Sequence, residues 1–132
     1  MRSPRRRVLC AESDDDTCEM LKVLLGHADY EVKSASTVAE ALGLAGSERF
    51  NLYLLDQRFA DGGGLELCEK IRHFDSRTPI LFFSALAQET DRQRGMGAGA
   101  QAYLIKPNDI NQLADTITRL INEAGTASRA EA

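Results

Sequence analysis

Four side chains in this sequence could together build a reactive site: Asp56, Glu12, Ser84 and Lys106. Each closes a short run of mainly apolar residues. Arg7 to Glu12 reads as a strand, and Phe50-Asn51-Leu52-Tyr53-Leu54-Leu55-Asp56 as a second. Thr78-Pro79-Ile80-Leu81-Phe82-Phe83-Ser84 and Ala102 to Lys106 follow the same plan. Apolar runs of this length, bounded by turn signals, suit strands buried on both faces of a parallel sheet. In open parallel sheets the chemistry sits just beyond the carboxyl ends of the strands. Two carboxylates, a hydroxyl and an ammonium are therefore expected on one edge. Carboxylates suit a hard cation such as Mg2+, and a lysine with a hydroxyl suits a tetrahedral oxyanion. A carboxylate can also act as a nucleophile and form an acyl phosphate. The residue types describe a Mg2+-dependent aspartyl-phosphate site centred on Asp56.

The elements that must position these groups alternate regularly. Asp14 to Ala28 carries Cys18, Leu21, Leu24 and Leu25 at helical spacing. Tyr30 to Ala35 alternates with period two, as a less buried strand would. Ser36 or Thr37 can cap a helix bearing Val38, Ala41, Leu42 and Leu44. Helices are also expected from about Leu65 to His73 and from Gln88 to Met96, the latter too polar to pack strongly. Asp109 caps a last helix in which Ile110, Leu113, Ile117, Leu120 and Ile121 recur at the helical period. Five strands alternating with five helices predict an α/β fold with a doubly wound, flavodoxin-like parallel sheet of order 2-1-3-4-5. One domain, residues 7–124, is expected between a disordered basic tail at 1–6 and a disordered tail at 125–132.

Composition narrows the function classes. A chain of 132 residues with 43% hydrophobic and 27% charged residues is long enough for one globular core. A net charge of -4 argues against direct nucleic-acid binding, which needs a basic face. The one basic cluster, Arg2 with Arg5-Arg6-Arg7, reads as a solvated terminus. No run approaches the length of a membrane span, and Glu12 interrupts any signal-peptide core. Cys10, Cys18 and Cys68 have neither disulfide nor zinc spacing; they fall on core-facing phases, and a cytoplasmic location is expected.

Taken in order, Val8-Leu9-Cys10-Ala11-Glu12, Leu54-Leu55-Asp56, Gly64-Leu65-Glu66-Leu67, Pro79 through Ala85, and Gly99-Ala100 through Tyr103-Leu104-Ile105-Lys106-Pro107 resemble a response-regulator receiver domain of two-component signalling. The resemblance covers Arg7 to Glu123 and implies a switch driven by phosphorylation. Asp56 matches the phosphoacceptor, fed by a sensor histidine kinase or a histidine phosphotransfer protein. Glu12 matches the first of two metal-binding acids, and Arg58 the residue whose backbone carbonyl meets Mg2+. Ser84 and Lys106 match the hydroxyl and lysine that hold the phosphoryl group. Tyr103 matches an aromatic switch that turns inward when Ser84 shifts, re-forming a partner surface on the last two helices and fifth strand. A homodimer stays open, and the Lys106-Pro107 bond is expected cis.

Ser13 departs from the pattern, standing where the second acid normally binds Mg2+. One carboxylate fewer removes roughly 8 kcal/mol of gross attraction to a divalent ion at 4 Å and effective dielectric 20. Water and the serine hydroxyl return much of that, so Ser13 contributes weakly or through a water. Asp14 or Asp15 could substitute. The alternative is a pseudo-receiver, the same fold used as a phosphorylation-independent interaction module. Ala60 replaces a common proline, and Gly62-Gly63-Gly64 predicts a flexible loop after Asp56.

Plainer readings compete at each position. Asp14-Asp15-Asp16 suits a helix N-terminus, with Ser13 as its cap. Gly95-Met96-Gly97-Ala98-Gly99-Ala100 mimics a nucleotide fingerprint but ends a helix instead of opening one. A phosphatase with an aspartate nucleophile commonly carries a second Asp where Arg58 stands. A flavin module lacks the aromatic residues to flank its ring.

Overall fold

The computed structural model describes residues 5–131, with side chains through Thr126. Five parallel strands form the sheet: β1 (Arg6–Ala11), β2 (Tyr30–Ala35), β3 (Leu52–Leu55), β6 (Ile80–Ser84) and β7 (Ala102–Ile105), in the order β2-β1-β3-β6-β7. Two short strands intervene, β4 (Arg58–Phe59) and β5 (Gly62–Gly63), pairing antiparallel just after Asp56. The helices are α1 (Asp15–His27), α2 (Val38–Ser47), α3 (Gly64–Arg72), α4 (Glu89–Gly97) and α5 (Leu113–Glu131), the last preceded by a 3-10 turn at Ile110–Gln112. This is the doubly wound, flavodoxin-like fold, in the expected order once the hairpin is set aside.

Alternation along each strand divides the core in two, because successive side chains leave a strand on opposite faces. Leu9, Tyr53, Leu55, Phe82 and Tyr103 pack on one face with Ala41, Leu67 and Ile71. Val8, Leu52, Leu54, Leu81 and Leu104 pack on the other with Leu21, Leu25, Leu113 and Ile117. Both faces are covered, so β3 and β6 are buried along their whole length.

Local chemistry sets several boundaries differently from expectation. The cap of α1 is Asp14, not Ser13: its carboxylate accepts the Thr17 N–H at 2.8 Å and the Thr17 hydroxyl at 2.7 Å. Asp109 does not cap the first turn after it. Its carboxylate reaches back to the Ile105 N–H at 2.8 Å, fastening the end of β7. Helix α5 runs on through Gly125 to Glu131, across most of the tail expected to be disordered. At the other end, Arg5 and Arg6 bond Tyr30 O at 2.9 Å and Asn122 Oδ1 at 2.8 Å, while Met1 to Pro4 lie outside the described residues. Cys10 and Cys68 are buried, whereas Cys18 keeps partial exposure.

The glycine-rich loop after Asp56 is anchored. Asp61 accepts the Val38 N–H at 2.8 Å and the Ala39 N–H at 3.0 Å, filling two of the open donors at the start of α2. Thr37 fills another, accepting the Glu40 N–H at 3.1 Å. The hairpin is thereby tied to a neighbouring helix.

Candidate functional site

The sheet gathers the four reactive groups at its carboxyl edge. Each lies one residue beyond its strand or at its end, where the ladder still holds the backbone. The Glu12 N–H donates to Ala35 O at 2.9 Å, the Asp56 N–H to Ala11 O at 3.0 Å, and the Lys106 N–H to Ser84 O at 2.9 Å. Their side chains therefore start from fixed points. Lys106, across a cis bond from Pro107, points its ammonium between the two acids, bonding Glu12 Oε1 and reaching Asp56 Oδ2 at 3.1 Å. The Phe83 ring lies 5.7 Å from the same ammonium. Ser84 and Lys106 join Asp56, Arg58, Ala85 and Leu86 around a cavity of about 240 Å3.

Glu12 is only 3% exposed. Burial pushes its carboxyl above the ordinary range, against the lowering pull of Lys106 and of the Asp14 N–H at 3.1 Å. Burial opposes the charge on Lys106 as well, but Glu12 and Asp56 outweigh it and hold the ammonium above the usual lysine value. An ammonium shared between two carboxylates offsets one of their two negative charges and leaves a residual negative charge in a poorly solvated place, which a cation can offset.

Asp56 itself is held from both sides. Its Oδ1 accepts the Gln57 N–H at 2.7 Å while Oδ2 faces Lys106. Gly64 crosses directly beneath: a Cβ there would stand 2.0 Å from Asp56 O, so only glycine fits. The Gly64 N–H also donates to Gln57 O at 2.9 Å.

The position lacking an acid has its own partner. Ser13 Oγ donates to the Arg58 carbonyl at 3.1 Å, the oxygen expected to face a cation. Asp14 is committed to its cap, so it does not stand in for the missing acid. Two carboxylates and a carbonyl remain on one rim, hard oxygen donors of the kind Mg2+ accepts alongside its waters. The donor set fits such an ion, with one acid fewer and with Lys106 and Ser13 to be displaced. No larger group of potential metal ligands occurs among the described residues.

Tyr103 lies on the opposite side of the sheet edge and is already inward, 8% exposed, with its hydroxyl donating to Leu86 O at 2.7 Å. Meanwhile Ser84 Oγ accepts the Leu86 N–H at 3.1 Å. One residue of this arrangement escaped the sequence reading: Gln57, buried, whose amide donates to Tyr103 Oη at 3.1 Å. Carrying the period-two alternation of β3 one step past Asp56 places Gln57 on the face of Tyr53 and Leu55, where Tyr103 packs. A larger cleft of about 490 Å3 opens at the other end of the sheet beside Arg6, Asn51, Arg77 and Pro79, with no carboxylate among the described residues that line it.

Comparison with known proteins agrees with this fold. Residues 8–118 match the family model of the response regulator receiver domain. The transcriptional regulatory protein CrdR of Helicobacter pylori is 34% identical over 120 residues, 90% of this chain and 56% of that protein. The response regulator protein PilR of Pseudomonas aeruginosa is 32% identical over 113 residues, 86% of this chain and 25% of that protein. The chain thus spans between a quarter and about half the length of these curated relatives. Among solved structures, a CheY-like receiver domain protein from Methanospirillum hungatei superposes with a TM-score of 0.88 at 28% identity, covering 94% of this chain and 99% of that one. The non-phosphorylated HemR receiver domain from Leptospira biflexa gives 0.82 at 34% identity, covering 89% and 94%.

Proposed function

The chain belongs to the response-regulator receiver family, and from that premise we propose that it is a phosphorylation-dependent switch whose acceptor is Asp56. The observation that carries the reading is the Lys106 ammonium set between Glu12 and Asp56, on a cavity that Ser84 also lines. A phosphohistidine of a sensor kinase or phosphotransfer protein is the donor. One Asp56 carboxylate oxygen attacks phosphorus in line, the P–O bond forms as the P–N bond breaks, and the departing imidazole takes up a proton. Lys106 is positioned to pair with the incoming phosphoryl oxygens, and the Ser84 hydroxyl to donate to one of them. Glu12, Asp56 and the Arg58 carbonyl, with Ser13 through a water, would hold Mg2+, which supplies charge neutralisation at those oxygens. Cytoplasmic location and a downstream protein partner on the face of α4, β7 and α5 complete the reading.

The second reading is a phosphorylation-independent interaction module. It is favoured by one contact, the Ser13 hydroxyl on the Arg58 carbonyl, which satisfies a metal-facing oxygen internally. The two separate in one experiment. With acetyl phosphate and Mg2+, the switch gains the mass of one phosphoryl group and Asp56→Asn gains none. Calorimetry then gives Ser13→Asp a tighter Mg2+ affinity, by tenfold or more. Absence of both the mass shift and any Mg2+ heat in the wild-type chain would establish the module instead.

A further inference from the structure

Gln57 adjoins the acceptor yet faces away from the reactive cavity. It is 9% exposed, whereas the next residue, Arg58, is exposed. Its backbone has little freedom, because the N–H is held by Asp56 Oδ1 at 2.7 Å and the carbonyl accepts Gly64 N–H at 2.9 Å. The side chain is thus aimed through the sheet edge, and its Nε2 donates to Tyr103 Oη at 3.1 Å. Tyr103 passes the chain on to Leu86 O at 2.7 Å, in the loop that follows Ser84.

The niche around Tyr103 is shaped for the inward ring. Phe82 lies against it with centroids 5.6 Å apart. Above it, α4 contributes Gly95, where a Cβ would stand 2.9 Å from Tyr103 Cδ2 and 3.1 Å from Phe82 Cδ2. Helix α4 can rest over the inward ring because residue 95 has no side chain. Turning Tyr103 outward would strip a buried amide donor and the Leu86 carbonyl of their shared partner, and buried polar groups without partners are penalised. The inward ring therefore has a polar tether from below, a ring contact beside it and a vacancy above it.

We propose that Gln57 is a positioning residue that latches Tyr103 inward while Asp56 carries no phosphoryl group, presetting the face formed by α4, β7 and α5. The use of that face by a partner rests on the switch reading above; the position of Tyr103 does not. A family-type aromatic switch has its population shifted by phosphorylation. Here the inward state is already favoured by residues of the resting chain, so phosphorylation has less left to shift.

The full chain has three tyrosines, so labelling with 3-fluorotyrosine gives three 19F resonances, and Tyr103→Phe identifies one of them. The solvent isotope shift between H2O and D2O reports the exposure of each ring. Without any phosphodonor, the Tyr103 signal is expected to show a small shift, comparable with those of buried Tyr30 and Tyr53. Gln57→Met, similar in length but without the amide, should raise the Tyr103 shift at least twofold and leave the other two unchanged. Gly95→Ala, which leaves Gln57 intact, should do the same by filling the vacancy. Asp56→Asn should keep the wild-type pattern, so a failure to phosphorylate leaves this result standing. A wild-type Tyr103 as exposed as fluorotyrosine in the urea-unfolded chain would overturn the latch. So would a Gln57→Met protein whose Tyr103 stays buried.

Discussion

Helices α4 and α5 lie on opposite faces of the sheet beside β7, and they are held there by very different means. Helix α5 sends Leu113, Ile117, Leu120 and Ile121 into the core, each at most 7% exposed. Burying such side chains contributes about 1.5–3 kcal/mol apiece. Helix α4 buries Gly95 alone, and its nine residues fall below the length at which an isolated helix holds together. Met96 packs against the core only partly buried, and the other ties of α4 are peripheral. The Gln88 N–H donates to Asp91 Oδ2 at 3.1 Å, and an exposed Glu89–Arg92 pair at 3.3 Å adds a few tenths of a kcal/mol at most. The difference teaches which element can move. A helix anchored by four apolar side chains behaves as scaffold, while one resting on a glycine over a tyrosine ring can shift at small cost.

The largest expected effect strikes the anchored helix. Ile117→Ala should lower the unfolding free energy by about 2–5 kcal/mol in a urea titration. A loss below about 1 kcal/mol would mean that α5 is not the anchor. Native-state hydrogen exchange sharpens the contrast without mutation. Amides of α4 should exchange at least about tenfold faster than those of residues 117–121, because they open locally before the domain unfolds. Equal protection in the two helices would erase the distinction. The smallest effect lies at the start of α1, which buried Leu21 and Leu25 hold in place as α5 is held. The Thr17 hydroxyl, then the Thr17 N–H, hold the Asp14 carboxyl below its ordinary value of 3.8. Its stabilising contribution is thus complete above that value and is lost as pH falls through the depressed one. Denaturant midpoints of wild type and Asp14→Asn should converge as pH falls through this window. A gap that widens on acidification would reverse the sign.

Most of the fold was legible because its causes are local. Leu52 to Leu55 announce a strand buried on both faces, and Leu113, Ile117, Leu120 and Ile121 announce a helix by their spacing alone. The strand-end rule then brought Glu12, Asp56, Ser84 and Lys106 together, and the structure places them on one edge. The misses have causes distant in sequence. Gly62-Gly63-Gly64 reads as a loose loop until Asp61, 23 residues from Val38, is seen to cap α2. Gln57 reads as a loop polar residue until Tyr103, 46 positions away, supplies its hydroxyl partner. Ser13 and Asp14 are both competent caps, and only the contact with Arg58, 45 residues on, explains why the serine is otherwise engaged. Gly125 looks like a helix terminator, and nothing local announces that α5 continues through it.

The crossing of Gly64 beneath Asp56 bears on how this sequence can vary. With 2.0 Å between a would-be Cβ and the acceptor's own carbonyl oxygen, any other residue at 64 must move the backbone that carries the carboxylate. In a saturation library selected only for folding, position 64 should still return glycine. Tolerance at residue 61 or 62 then reports on the hairpin, whereas a glycine fixed at 64 reports on the strand end it supports. Recombination between related sequences would succeed with breakpoints on either side of the span from Asp56 to Gly64, and fail within it.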